Sequence, residues 1–137
     1  MAGYSGTPLR NKLGIKEGMK ISILNAPDDF WKLLGEMPEV KFIEKPSKEM
    51  EFILYFADSK KEFEKTFQKL GRSLASNGML WIGWPKKTSK IPSDLDENSI
   101  RDFGLSQGLV DVKVCAITER WSGLKFVIRV KDRLKKQ

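Results

Sequence analysis

Three short polar stretches hold the side chains best suited to bind or react: Asn25-Ala26-Pro27-Asp28, Asp58-Ser59 and Trp84-Pro85-Lys86. Each follows an apolar run of strand type, and the first two precede a helical pattern. Asp and Ser at such joints cap helices by accepting from first-turn N–H groups. The same N–H groups can hold an anion, and Lys60, Lys61 and Lys86 would add positive charge. Asn25, Asp28, Asp58, Ser59, Trp84 and Lys86 therefore form the candidate ligand-binding crevice. The arm GYSGTP (residues 3–8) offers the hydroxyls of Tyr4, Ser5 and Thr7 if it folds over that crevice.

The chemistry that is missing narrows the field. The chain of 137 residues contains no histidine and one cysteine, Cys115. This excludes Ser-His-Asp and Cys-His nucleophile systems and imidazole metal ligands. Phosphate loops of the Gly-x-x-x-x-Gly-Lys type, Cys-x-x-Cys pairs and calcium loops are absent too, so no catalytic residue and no metal ligand is assigned. Cys115 lies in an apolar strand pattern and reads as an inert thiol. A lone cysteine admits no internal disulfide and suits a reducing compartment; with no signal-type or membrane-spanning apolar run, the expected location is the cytoplasm.

The net charge is +7, carried unevenly: residues 1–70 hold 12 basic against 11 acidic side chains, and residues 71–137 hold 13 against 7. WPKKTSK (84–90) and RVKDRLKKQ (129–137) concentrate the excess. A basic balance can attract phosphate backbones or acidic partners, and equally serves solubility. A nucleic-acid surface would need Trp81, Trp84 or Trp121 exposed beside Lys86 and Lys87 for base stacking.

The elements that must position these groups are legible in order. Thr7 can cap a short helix with Pro8 at its first position and Gly14 at its end. MKISILN is the first strand, after which Asp28 or Asp29 caps a helix burying Phe30, Leu33, Leu34 and Met37. VKFIE (40–44) is a short edge strand. EFILYFA (51–57) is apolar on both faces, as in a covered parallel strand. Ser59 and Glu62 form a capping box for a long helix with Phe63, Phe67, Leu70 and Leu74 inward and Asn77-Gly78 as its left-handed end. MLWIGW (79–84) is a second covered strand. Asp94 and Glu97 open a further helix, and LVDVKVCAIT (109–118) with WSGLKFVIRV (121–130) forms an antiparallel hairpin across Glu119-Arg120.

That order implies a single α/β domain: a three-layer αβα sandwich, Rossmann-like, with a mixed sheet of about six strands ending in the hairpin. Residues 1–18 would be an arm and short helix, 19–131 the core and 132–137 a basic tail. From residue 51, FILYF, FQKLGRSLASNGMLWIGWP and the terminal hairpin resemble the second half of a class I SAM-dependent methyltransferase. The resemblance implies that one helix and one strand are lacking between Lys45 and Glu51. It also implies a strand order of second, first, FILYF, MLWIGW, last and next-to-last. It further places Glu44 where a carboxylate holds the cofactor ribose, and puts a glycine-rich loop where this chain has Asn25-Ala26-Pro27-Asp28. GYSGTPL, KLGIK, WPK, GLVDVKVCA and WSGL (residues 3–9, 12–16, 84–86, 108–116 and 121–124) also resemble a family of short bacterial proteins of unknown function.

The expected function is a non-catalytic binding or interaction module with no resident cofactor. The alternatives are a SAM- or nucleotide-binding enzyme with an unusual glycine-free loop, or a basic accessory protein on nucleic acid. A small anionic ligand or a protein is the expected partner, and no membrane is.

Overall fold

The structure is a computed structural model that describes residues 7–133. Tyr4, Ser5 and the end of the basic tail lie outside the described residues. The elements run α1 (Leu9–Leu13), β1 (Lys20–Leu24), α2 (Asp28–Leu34), β2 (Lys41–Phe42), β3 (Met50–Phe56), α3 (Lys60–Arg72), β4 (Leu74–Pro85), α4 (Glu97–Ser106), β5 (Leu109–Ala116) and β6 (Trp121–Ile128). A 3₁₀ turn, Lys87–Ser89, follows β4. The strands form one sheet in the order β2-β1-β3-β4-β6-β5, the order expected from the sequence. The first four are parallel, and β6 runs antiparallel to both of its neighbours.

Both faces of the sheet are covered, which is why β3 and β4 are apolar on both alternations. On one face α3 and α4 bring Phe63, Phe67 and Ile100 against Ile53, Leu80 and Phe126. Edge-to-face contacts link Phe67 to Phe63, Phe103 and Phe126, with ring centroids 5.3–5.7 Å apart. On the other face α1 and α2 place Leu13, Phe30 and Leu34 over Ile21, Phe52, Phe56 and Trp81. The buried Trp81 indole N–H donates to the Leu13 carbonyl at 2.9 Å, tying α1 to the central strand. Each buried aromatic of this kind contributes about 1.5–3 kcal/mol by leaving water.

Several boundaries differ from the sequence reading. Pro8, not Thr7, occupies the position before α1, and Gly14 ends that helix with φ +88° as expected. Helix α2 stops at Leu34 with Gly35 at φ +66°, so Met37 lies beyond it and Leu33 is exposed. Helix α3 stops at Arg72, and Leu74 begins β4. Asn77-Gly78 is therefore no helix end: the β3–β4 register jumps from Met50–Leu74 to Phe52–Met79, and the intervening residues bulge. Gly78 is required there because a Cβ would stand 2.5 Å from the Met50 carbonyl oxygen. The hairpin connection is Ile117–Arg120, longer than the two residues expected, because β5 closes at Ala116. Among the described residues no helix is long and apolar enough to cross a membrane.

Candidate functional site

The chain leaves β1 for β2 on one side and resumes with β3 on the other, so the strand order reverses between β1 and β3. In open α/β sheets the crevice beyond the strand ends at such a point is where ligands bind. Asn25 stands there in the left-handed region, φ 59°, a conformation Asn tolerates better than most residues. Its Nδ2 donates to the Phe56 carbonyl at 2.8 Å. One residue thus makes the turn that glycine commonly makes, and its amide straps the end of β1 to the end of β3. Pro27 follows as the residue before α2, with no side-chain cap. Asp28 is exposed in the first turn, so the expectation of a capping carboxylate at Asp28 or Asp29 is corrected. Pro27 takes the cap position, and an acidic first turn still favours the helix through its dipole.

Asp58 is exposed and Ser59 half-buried at the start of α3. The Ser59 hydroxyl accepts from the Glu62 N–H at 3.2 Å, as its spacing predicts. The neighbouring Lys60 N–H donates to Asp94 Oδ1 at 2.7 Å. Asp94 reaches across from the segment before α4, so a carboxylate of the chain itself stands where an exogenous anion was expected. The cap of α4 is in turn Asp96, whose side chain accepts from the Ser99 N–H at 2.8 Å while Ser99 Oγ accepts from the Asp96 N–H at 3.3 Å. The Asp94/Glu97 box is thereby corrected. Hydrogen bonding to the Ser99 backbone and side chain, with Lys87 and Lys60 nearby, outweighs burial and holds the Asp96 carboxyl below its usual 3.8.

Trp84 and Lys86 line a groove of about 430 Å³ with Leu95, Asp96 and Ser122. The Lys86 N–H donates to the Arg120 carbonyl at 2.9 Å, fixing the exit of β4 to the hairpin turn. The structure thus joins Lys60, next to Ser59, to Asp94 and sets Trp84 beside Lys86, both at the carboxyl edge of the sheet. Glu44 is exposed beyond β2, on the far side of β1 from β3. Thr7 is exposed ahead of α1.

Sequence reasoning missed Asp94 as the partner of α3, because its spacing to Glu97 offered a local use first. It also missed Tyr55, the polar residue inside FILYF. Burial raises the Tyr55 phenol above 10.0; a hydrogen bond with Thr66 opposes this, and Glu62 and Asp58 reinforce it. Burial likewise raises the Cys115 thiol above 9.0, against Lys113 and Lys12, which keeps it a poor nucleophile. Trp81, Trp84 and Trp121 are all buried, so these three do not form the stacking surface that nucleic-acid binding would need of them. Among the described residues no group of three or more His, Cys, Asp or Glu could hold a metal ion.

No protein-family model matches the sequence, and no curated protein matches it. Solved structures do match in fold. A TehB-like SAM-dependent methyltransferase from Corynebacterium glutamicum superposes with a TM-score of 0.57 at 10% identity, over 88% of this chain and 85% of that one. A SAM-dependent methyltransferase from Aquifex aeolicus gives 0.54 at 14% identity, over 88% of both chains. Magnesium protoporphyrin IX methyltransferase from Synechocystis, solved with bound SAH, gives 0.56 at 10% identity, over 82% of this chain and 74% of that one. The fold is therefore the Rossmann-like α/β fold of class I SAM-dependent methyltransferases. At such identities the likeness concerns architecture, and function must be argued from the site.

Proposed function

We propose that this chain is a non-catalytic binding module, built on a methyltransferase-type fold and acting in a bacterial cytoplasm. The carrying observation is the bond from Asn25 Nδ2 to the Phe56 carbonyl at 2.8 Å. It spends a donor and an acceptor of the switch-point crevice on each other. Pro27 removes a further backbone donor, and Ala26 adds a Cβ where close backbone approach would favour glycine. At the next joint Asp94 takes the Lys60 N–H. These residues do not fit an adenosyl cofactor resting on the first turn, so no transfer step is derived through one. With no histidine in the chain, acid–base work would fall to Asp, Glu, Lys, Tyr or the lone thiol.

The rival reading, a SAM-binding enzyme with a glycine-free loop, draws on the fold neighbours solved with SAM or SAH. Calorimetric titration with SAM and SAH, alongside thermal-shift measurements at millimolar ligand, separates the two. The binding-module reading expects no heat of binding and no shift in Tm. Saturable binding that disappears in Ala26→Trp, with unchanged unfolding behaviour, would replace it with the enzyme reading.

A further inference from the structure

Strands β2 and β3 lie on opposite sides of β1 and run parallel to it, so the chain must cross β1 between them. Such crossovers ordinarily take a dozen or more residues, most often a helix. Here residues 43–49 make the passage without one. Leu24 and Ile43, on the α3 side of the sheet, are consequently only partly buried. A groove of about 630 Å³ opens between this short crossover and the C-terminal half of α3. Its apolar lining is Leu24, Pro46 and Leu70, and its basic lining is Lys45, Lys48, Lys69 and Arg72, with no carboxylate among the described residues that line it.

We propose that this groove docks an acidic amphipathic helix of a protein partner, which supplies the layer that the short crossover leaves out. The proposal rests on the binding-module reading and names its surface. Charge complementarity selects the occupant: four basic side chains line the groove together with Leu24, Pro46 and Leu70, matching a helix with an apolar stripe flanked by Asp and Glu. Lys69 and Arg72 sit in the last turn of α3, where they offset the negative end of its dipole, which would otherwise repel an acidic partner. Among the described residues no aromatic ring lines the groove, so a single-stranded nucleic acid would find phosphate contacts there but no stacking platform.

The test uses the full chain and a fluorescein-labelled peptide of about 15 residues, long enough to form a helix on a surface. Its leucines recur at i, i+4, i+7 and i+11, and glutamates fill the exposed positions. The controls are a scrambled peptide of the same composition and a single-stranded oligothymidylate. Saturable binding by the amphipathic peptide alone, weakened about tenfold or more in Lys45→Glu/Lys69→Glu, is the expected result for the reversal of two charges in the groove. Circular dichroism melting checks that this variant folds, and Lys45→Ser/Lys69→Ser replaces it if it does not. Failure of the peptide to bind, equal binding by the scrambled peptide or the oligonucleotide, or indifference to the lysine changes would each overturn the proposal. None of these outcomes bears on the cofactor titration, which judges the binding-module reading by itself.

Discussion

Asn25 combines two roles that pull against each other in a substitution. Its backbone sits at φ 59° and its side chain bonds Phe56. Asn25→Ala loses the bond and keeps the strained dihedral, and should cost about 1–3 kcal/mol. Asn25→Gly relieves the dihedral and loses only the bond, so its urea midpoint should fall between those of Ala and wild type. Lys125 is a second residue whose behaviour follows from its surroundings. Burial on β6, with Lys113 and Lys16 nearby, depresses its pKa below 10.5. Between the folded value and 10.5 the unfolded chain binds the extra proton, so stability rises with pH through that window. At neutral pH the charged ammonium is a liability. Lys125→Met should therefore raise Tm at pH 7, and the advantage should shrink as pH approaches 10.5 in a series of thermal melts.

Among the elements, α4 approaches the sheet closely at Gly104. A Cβ on Gly104 would fall 2.1 Å from a ring carbon of Phe126. Gly104→Ala should destabilise by about 1–3 kcal/mol through overpacking, despite the higher helix propensity of alanine. Denaturant unfolding with an unchanged m-value would confirm a loss of packing rather than a change of fold. The sequence carried the strands well, because FILYF and MLWIGW are apolar on both alternations and only a covered parallel pair uses such runs. The terminal hairpin fixed one antiparallel pair, and the full strand order came from the resemblance to class I SAM-dependent methyltransferases. Helix ends were less legible. Asn77-Gly78 has the composition of a helix stop, yet Gly78 is there for the Met50 carbonyl, a neighbour distant in sequence. Asp94 likewise looked like a local cap and instead serves α3, from 34 residues away. The candidate site was readable as a location, the carboxyl edge at the switch point. Its internal bonds depend on side-chain partners that spacing along the chain does not encode.

At the scale of the molecule, β6 lies between β4 and β5, and β5 meets the sheet only through β6. A chain ending at Arg120 would leave one edge of β4 unpaired and deprive Trp81 and Leu80 of their β6 partners, Lys125 and Phe126. Such a truncation should lack cooperative unfolding by circular dichroism and should precipitate on concentration, as exposed apolar strand edges do. During synthesis the same arrangement has a consequence in time. Strand β5 leaves the ribosome before β6, yet it has no place in the sheet until β6 follows. Until β6 emerges and inserts between β4 and β5, the nascent chain carries unpaired strand edges and is prone to bind chaperones.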